Sequence, residues 1–394
     1  MKKILVLNSG SSSLKYQLFN VTGDKYDVIA KGVADRIGIN GSFVEIKFPN
    51  GDKRKREVAL PTHNEAINEV IAELLNGALT SMAEIDAVGH RVVQGGDIFK
   101  NSVLVTDTVV DQIENLAELA PLHNHAHVLG IKAVQKLLPN VPQTVVFDTA
   151  FHQTMPKEAY LYALPLEQYT KYKIRRYGFH GTSHAYVSQK AAELIGKKGK
   201  IITYHLGNGA SISAVDNGIC LDTSMGFTPL AGLIMGTRCG DIDPYIPLYI
   251  CKSQNKTPDE VNEILNKKSG MFGLCGYSDN RDVETLYGVE QSATDAMDTY
   301  IHSIIRFIGS YIAVLGGVDA IVFTAGIGEN GSLVRKLVLE RLSYLGITLD
   351  EEANNKRGSI TEISTPDSKV RVFVIPTDEE YMIAKDTMQI VFGA

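Results

Sequence analysis

The sequence lacks the features of a membrane protein, a disulfide-bonded secreted protein or a nucleic-acid-binding protein. No apolar run approaches the roughly 20 residues that span a bilayer. The four cysteines show no CxxC spacing, as is typical of reduced thiols, and the net charge of -6 comes without a stripe of Lys and Arg. The apolar run after Met1-Lys2-Lys3 is too short for a signal-peptide core. We therefore predict a cytoplasmic protein with no membrane partner and no nucleic-acid partner.

Several motifs of common enzyme classes are also missing. There is no GxxxxGK(S/T) loop, no protein-kinase motif set and no HExxH. His123, His125 and His127 alternate at a loop-to-helix junction, but no cysteine or acidic ligand accompanies them, and we predict no transition-metal site there. If the chain uses ATP, it must bind the nucleotide by another arrangement.

The most informative stretch that is present is Asn8-Ser9-Gly10-Ser11-Ser12-Ser13-Leu14-Lys15. It lies between the apolar run 4–7 and the alternating run 14–19, which predicts two strands joined by a tight loop. Backbone N–H groups in such a loop suit a phosphate, and a lysine adds a point charge. When this stretch is considered alone, an ordinary hairpin turn is the favoured interpretation, since most Ser/Gly turns are no more than that.

The same pattern recurs twice. Residues 200–204 form a predicted strand that runs into His205-Leu206-Gly207-Asn208-Gly209-Ala210, and residues 320–323 run into Thr324-Ala325-Gly326-Ile327-Gly328-Glu329-Asn330-Gly331. Three strand-to-glycine turns, each with an asparagine, predict a nucleotide held between two similar halves.

The rest of the chain alternates strands and helices. Predicted strands cover 28–34, 43–48, 56–60, 87–93, 144–147, 200–215 as a hairpin, and 370–375; predicted helices cover 64–75, 107–119, 125–138, 258–267, 292–315, 332–345 and 378–391. This alternation predicts an α/β fold, whose sites collect at the carboxyl ends of strands. At 394 residues and 44% hydrophobic composition, two domains are expected.

Two arginines are candidates for anion binding. Arg91 ends an apolar strand, where a salt bridge to a neighbouring carboxylate is at least as good an explanation as a functional role. Arg238 lies between Gly236 and Gly240, and glycines leave the backbone open to a ligand. Because arginine suits planar anions with several oxygens, we favour function for Arg238.

Other candidates are a histidine and two acids. His180 lies in the dense cluster Arg175-Arg176-Tyr177-Gly178-Phe179-His180-Gly181-Thr182-Ser183-His184, whose His184 falls inside a predicted helix and is expected to be structural. Asp148, at the tip of a buried strand, and Glu379 are candidates for Mg²⁺. Glu379 and Glu380 could equally be first-turn acids that complement a helix dipole.

Together these motifs strongly resemble the acetate kinases. The resemblance is collinear over nearly the whole chain and rests on NSGSSSLK, RRYGFHGTSH, HLGNG, MGTRCGDIDP, GIGEN and TDEE, which begin at Asn8, Arg175, His205, Met235, Gly326 and Thr377. It implies two duplicated actin-like ATPase (ribonuclease H-like) domains, 1–148 plus 381–394 and 149–380, with the active site in the cleft between them. It also implies a homodimer.

The resemblance implies a role for each candidate residue. Asn8 and Glu379 would bind Mg²⁺, with Mn²⁺ as an alternative, and His180 and Arg238 would stabilise the transition state. The nucleotide ATP or ADP would contact Lys15, His205, Leu206, Gly207, Asn208, Gly209, Asp279, Asn280, Arg281, Gly326, Ile327, Gly328, Glu329 and Asn330. Arg91 would bind the substrate carboxylate, and its methyl group would lie among Val93, Leu122, Phe179 and Pro229.

The implied reaction is reversible, direct in-line phosphoryl transfer between ATP and acetate, which gives acetyl phosphate and ADP. Asp148 would be the acid/base residue by resemblance. Acetate, however, is already ionised at pH 7, so it has no proton to give up. We expect Asp148 instead to orient Mg²⁺, water or an arginine.

Two alternatives stay open at this point. A propionate or butyrate kinase differs only in pocket size, and one methylene discriminates by about 1–3 kcal/mol; Val93 favours acetate. A non-catalytic actin-like ATPase would lack the acyl site, so Arg91, His180 and Arg238 together argue against it. Asn280, where an apolar residue is usual, and Ala325, where glycine is usual, depart from the resemblance, as does His125 in place of proline.

Overall fold

The computed structural model describes residues 1–10, 12–120 and 123–393. It divides into two compact units, Met1–Ala150 together with the segment from Asp378 onward, and Phe151–Thr377. The C-terminal segment of the first unit thus begins at Asp378 rather than at the expected 381, because the last helix starts at Glu379. None of the helices in the described ranges is both long and apolar enough to cross a membrane.

The elements alternate along the described chain. The strands are β1 (Lys2–Ser9), β2 (Ser13–Thr22), β3 (Lys25–Asp35), β4 (Phe43–Lys47), β5 (Lys53–Glu57), β6 (Ala87–Val92), β7 (Val103–Leu104), β8 (Gln143–Phe147), β9 (Lys200–Leu206), β10 (Ala210–Asp216), β11 (Ile219–Thr223), β12 (Ala320–Thr324), β13 (Thr361–Glu362) and β14 (Arg371–Val374). The α-helices are α1 (His63–Leu75), α2 (Asp107–Asn115), α3 (Asn124–Leu137), α4 (Lys157–Tyr160), α5 (Glu167–Thr170), α6 (Gly181–Ile195), α7 (Tyr245–Ser253), α8 (Pro258–Lys267), α9 (Gly270–Cys275), α10 (Asn280–Leu286), α11 (Gln291–Leu315), α12 (Ala325–Asn330), α13 (Ser332–Glu340), α14 (Glu351–Asn354) and α15 (Glu379–Phe392). Short 3-10 helices lie at Met82–Glu84, Leu116–Glu118, Ala150–Thr154 and Ser343–Leu345.

Each unit contains one sheet, and the two sheets share a topology. The first has the strand order β5-β4-β3-β2-β1-β6-β8-β7 and the second β11-β10-β9-β12-β14-β13. In both, three antiparallel strands (β3-β2-β1 and β11-β10-β9) continue into two parallel ones (β6-β8 and β12-β14). The predicted α/β class and the repetition of one plan in both halves are therefore confirmed.

Each sheet is covered by a helix that follows the other sheet in the sequence. The helix α15 comes after the second sheet, but its Ile383, Ala384 and Met388 pack on Ile4 and Val146 of the first. The helix α6 comes after β8 of the first sheet and packs on β9 and β12 of the second. Burial of these apolar faces, at about 25 cal/mol per Å², holds each helix to its sheet.

The prediction of a strand at 56–60 is wrong in its position. The structure has β5 at Lys53–Glu57, paired with β4 through a hairpin whose Gly51 has a φ of +92°. The hairpin fixes the register, so pairing starts next to the turn although Lys-Arg-Lys-Arg-Glu shows no apolar alternation. A short, charged strand at the edge of a sheet also resists pairing with other chains.

The third predicted glycine turn is wrong as well, because residues 325–330 form the short helix α12. Glycine disfavours helices, which is why the sequence suggests a turn. The Glu329 carboxylate, however, accepts the N–H of Ala325 at 2.9 Å and that of Thr377 at 3.2 Å, so it satisfies the helix start.

Ala325 carries backbone strain that glycine would remove. Its φ is +64°, in the left-handed region that costs an L-residue roughly 1–2 kcal/mol. We expect Ala325→Gly to raise the free energy of unfolding by about 1 kcal/mol in a urea titration. As a control, Ala313→Gly in the regular helix α11 should lower it by a similar amount; a loss of stability at both positions would contradict the strain.

Candidate active site

The carboxyl ends of three parallel strands bring together Asn8, Arg91 and Asp148 in the first unit. Arg91 Nε donates to Asp148 Oδ1 at 2.8 Å and Nη2 donates to Asp148 Oδ2 at 2.7 Å, so the pair is bidentate. Arg91 Nη1 donates to Asn8 Oδ1 at 3.2 Å. The ion-pair interpretation of Arg91 is thus realised, and it orients the guanidinium at this edge of the sheet.

Glu379 joins this cluster from the first turn of α15. Its Oε2 lies 3.7 Å from Arg91 Nε. Burial raises the pKa of Glu379 to about 7; Arg91 opposes the shift, and the neighbouring Asp148 adds to it. Lys15, directly opposite Asn8 in the β1–β2 register, is exposed. The positive charge near the Glu379 carboxylate is therefore too small to offset the cost of burying its ionised form.

The remaining predicted residues of the first unit are Val93 and Leu122. Val93 follows β6 directly and is buried. Leu122 lies outside the described residues, as does Ser11 of the β1–β2 loop. In that loop the Gly10 N–H donates to Ser13 O at 2.6 Å, so this donor closes the turn.

A second cluster lies in the second unit and is built from three histidines. His180 precedes α6 with a φ of +58°, a conformation that concentrates at functional sites. Ser211 Oγ joins His180 Nδ1 at 2.9 Å to His184 Nε2 at 2.7 Å. The ring of His205 stacks on His180 at 4.0 Å. His184 is buried in α6, as the structural interpretation expected, and it positions His180 through the serine.

Arg238 lies beside this histidine cluster. A Cβ at Gly209 would come within 3.5 Å of Arg238 Nη1 and 3.6 Å of His180 Cε1, so both groups face the space that glycine leaves open. Arg238 Nη1 donates to Pro229 O at 3.0 Å, and among the described residues no carboxylate lies within 4.0 Å of it. Burial lowers the pKa of Arg238. An anion in this space would supply the missing counter-charge.

Next to the β9–β10 turn lies a cavity of about 1090 Å³. It is lined by the predicted residues Gly207, Asn208, Asp279, Asn280, Arg281, Gly326, Ile327 and Asn330. The sequence missed Ser278, Glu284, Thr285, Gly331, Leu333 and Arg357. Glu284 could have been found, since it lies one helical turn beyond Asn280, whereas Arg357 lies in a segment without a pattern.

Some residues of the predicted nucleotide site do not line this cavity. They are Lys15 in the first unit, and His205, Leu206, Gly209, Gly328 and Glu329 in the second. Leu206 and Gly328 are buried, and the Glu329 carboxylate holds backbone N–H groups. Of the predicted acyl pocket, Phe179 is buried and its carbonyl accepts from His152 Nε2 at 2.9 Å.

Comparison with known proteins identifies the family. A model of the acetokinase family matches residues 3–385. An acetate kinase of Halothermothrix orenii is 56% identical over 397 aligned residues, which cover 99% of both chains. This chain belongs to the acetokinase family. The resemblance predicted from its motifs is confirmed.

Solved structures of acetokinases share the fold. An acetate kinase of Porphyromonas gingivalis has a TM-score of 0.94 at 47% identity, and a propionate kinase of Francisella tularensis subsp. tularensis has 0.93 at 41%; both matches cover 99% of this chain and 100% of the other. Membership of this kinase family implies an enzyme that uses ATP and a divalent metal ion.

Proposed function

We propose that this protein is an acetate kinase, which transfers the γ-phosphoryl group of ATP reversibly to acetate and gives acetyl phosphate and ADP. One acetate oxygen attacks the γ-phosphorus while the bond to the bridging oxygen of ADP breaks. No proton is transferred, because acetate is already an anion. The observation that supports the proposal best is a pair of arginines with N–H donors available for anions, Arg91 in the first unit and Arg238 in the second, in a chain of this family.

In this proposal Arg91 binds the acetate carboxylate. A guanidinium has five N–H donors. Asp148 takes one on Nε and one on Nη2, and Asn8 takes one on Nη1, so one donor on each terminal nitrogen is left for a second carboxylate. Asp148 therefore acts by orienting Arg91, and the buried Val93 would limit the size of the acyl group.

The second unit would supply the nucleotide site and the groups that neutralise the transferred phosphoryl. The nucleoside would occupy the cavity beside Asn208 and Ile327. His180 and Arg238, which face the space over Gly209, would bind the equatorial oxygens. Such positioned charges account for most of the rate in phosphoryl transfer.

The oxygen donors of the first unit fit Mg²⁺ that arrives with the nucleotide. Mg²⁺ prefers one or two carboxylates together with phosphates and waters. Asn8 Oδ1 and the Glu379 carboxylate would contribute such oxygens, and a cation there would offset the burial that raises the pKa of Glu379. The described residues offer no group of three His, Cys, Asp or Glu that could hold a metal alone. When bound, the ion would neutralise phosphate charge.

Metal activation should depend on pH through Glu379. Because its pKa is raised to about 7, a proton competes with the metal below pH 7, and the activating Mg²⁺ concentration should rise toward tenfold for each pH unit lower. Glu379→Gln should need more Mg²⁺ at every pH and lose this dependence. Measuring kcat against Mg²⁺ from pH 5.5 to 8.5 tests this. Glu118→Gln, at an exposed glutamate of the first unit, is the control, and an unchanged pH dependence in Glu379→Gln would refute the proposed role of Glu379.

The activity itself is tested by MgATP-dependent acyl phosphate formation, trapped with hydroxylamine, on acetate, propionate, butyrate, glycerol and glucose. A signal strongest with acetate and falling along the acid series is expected. A maximum at propionate would move the assignment to the activity named for the Francisella tularensis relative. ATP hydrolysis without acyl phosphate from any acid would refute the kinase function.

We further propose a cytoplasmic homodimer. All four cysteines are unpaired, as suits a reducing compartment. The helix α7 has no buried residue, and it exposes Tyr245, Ile246, Leu248 and Tyr249. An apolar helix face of this kind marks an interaction surface, and a second copy of the chain is our assignment for its partner.

A charge on α7 should therefore give a monomer. We expect Leu248→Glu to halve the mass measured by light scattering after size-exclusion chromatography, because a carboxylate would be buried in the interface. Leu164→Glu, at an equally exposed leucine outside α7, should leave the mass unchanged. A monomeric parent protein would exclude the dimer.

A further inference from the structure

The backbone of His180, whose ring faces the space over Gly209, must be held in place. Its φ is +58° and its ψ is 25°, a left-handed conformation that is unfavourable for an L-residue. Such a conformation persists only where the surrounding structure determines it. The hydrogen bond between Ser211 Oγ and His180 Nδ1 orients the side chain. The value of φ, however, depends on the orientation of the preceding peptide group, which contains the carbonyl of Phe179.

This carbonyl is held by His152. Burial lowers the pKa of His152 to about 4, so the ring is neutral near pH 7. His152 Nε2 lies 2.9 Å from Phe179 O. A carbonyl oxygen can only accept, so the proton of the neutral ring is on Nε2 and Nδ1 is an acceptor. Cys220 Sγ lies 3.2 Å from Nδ1, where its thiol can donate.

The ring of His152 is also fixed by packing. It is completely buried in the 3-10 helix Ala150–Thr154. A Cβ at Gly178 would come within 2.7 Å of His152 Cδ2, so glycine is required two residues before His180. The ring of His184 makes an edge contact with that of His152, with the centroids 5.7 Å apart. His152 therefore cannot reach a substrate, and it can influence the reaction only through the peptide group that it holds.

We propose that His152 is a positioning residue for phosphoryl transfer: it holds the peptide group between Phe179 and His180, and thereby places the imidazole of His180 against the transferred phosphoryl. The inference rests on the proposed function for the role of His180, and it adds the group that fixes its backbone. Because the imidazole is needed in the transition state, loss of this hydrogen bond should lower kcat and leave KM nearly unchanged.

The test compares two amides at position 152 that differ in reach. His152→Gln places an amide N–H near the position of Nε2, whereas the amide of His152→Asn reaches only the position of Nδ1 and cannot donate to Phe179 O. We expect His152→Asn to lower kcat for acyl phosphate formation about 10²-fold, and His152→Gln to recover most of this loss. If His152→Asn does not fold, His152→Leu, which fills the site but has no donor, takes its place with the same expectation.

A double-mutant cycle separates positioning from a general loss of structure. In a His180→Ala background, His152→Asn should not lower kcat further, because no imidazole is left to position. Tyr177→Phe is the control, since it removes a hydroxyl that donates to Lys173 O at 2.8 Å in the same segment. It should lower the unfolding midpoint in urea and leave kcat unchanged. An equal loss of kcat in His152→Gln and His152→Asn, or a loss that persists in the His180→Ala background, would overturn the inference.

The position of His180 can also be measured without activity. Its ring is stacked on that of His205, with the centroids 4.0 Å apart, so the NMR resonance of its Cε1–H carries a ring-current shift. In protein with isotope-labelled histidine, this resonance, identified by its loss in His180→Ala, should move in His152→Asn and stay in place in His152→Gln. A resonance that moves in neither variant would overturn the inference. If the parent protein forms no acyl phosphate, the proposed function fails, and this measurement still decides whether His152 positions His180.

Discussion

Replacing Arg238 by alanine should lower kcat by about 10³-fold without lowering the stability of the protein. Charge stabilisation by one arginine at a transferred phosphoryl is worth this much or more. Arg238 is partly buried with no carboxylate within 4.0 Å among the described residues, so its removal relieves desolvation rather than breaking an ion pair. Arg238→Lys should recover little activity, because a lysine cannot reproduce the planar fork.

Arg335 provides the control for this prediction, because its guanidinium is fully buried and hydrogen-bonded to acceptors within the protein. It donates to Asn354 Oδ1 and to Gly328 O, both at 2.8 Å. Arg335→Ala leaves these acceptors unpaired and should lower the unfolding midpoint in urea. If Arg238→Ala lowers this midpoint as much as Arg335→Ala does, or retains kcat, then Arg238 is structural.

Asp148→Asn is expected to lower kcat by about 10²-fold and to change the dependence on Mg²⁺, while both limbs of the pH–rate profile persist. The asparagine places N–H groups opposite an N–H of Arg91, so the bidentate pair is lost and the guanidinium turns from its position. Misplacement of about 1 Å in a reacting group costs this much. The profile keeps its shape because Asp148 moves no proton in our proposal.

The control is another bidentate pair outside both clusters. Arg371 Nε donates to Glu362 Oε1 at 2.8 Å, and Arg371 Nη2 donates to Glu362 Oε2 at 2.5 Å. Glu362→Gln should leave kcat unchanged. Steady-state kinetics from pH 5.5 to 9 compare the two variants. Loss of one limb in Asp148→Asn at unchanged Mg²⁺ affinity would make Asp148 a general base and our assignment wrong.

The sequence predicts elements well where local pattern and tertiary structure agree. The predicted helix 258–267 is observed as α8, because a capping box on Thr257 and Pro258 at the first helical position mark its start. The predictions fail where a distant or structural constraint dominates. The register of a hairpin places β5, and Glu329 with Thr377 stabilises the helix α12.

The candidate site shows the same division. Asn8, Arg91 and Asp148 can be named from the sequence, because polar residues that end apolar runs meet at one edge of a sheet. The pairing of Arg91 with Asp148 cannot be predicted from the sequence, because it depends on the parallel register that sets Arg91 beside Val146. The roles of these residues stay predictions, to be decided by the substitutions above.

The first sheet is covered by a helix that follows the second sheet in the sequence, and this order has a consequence for the synthesis of the protein on the ribosome. The strands of the first sheet emerge early, whereas α15, which covers Ile4 and Val146 and supplies Glu379, is made only after the whole second unit. At about 5–20 residues per second, the intervening segment Phe151–Thr377 takes on the order of ten to fifty seconds. During that interval one apolar face of the first sheet is uncovered, so the nascent chain depends on protection from aggregation until α15 has been made.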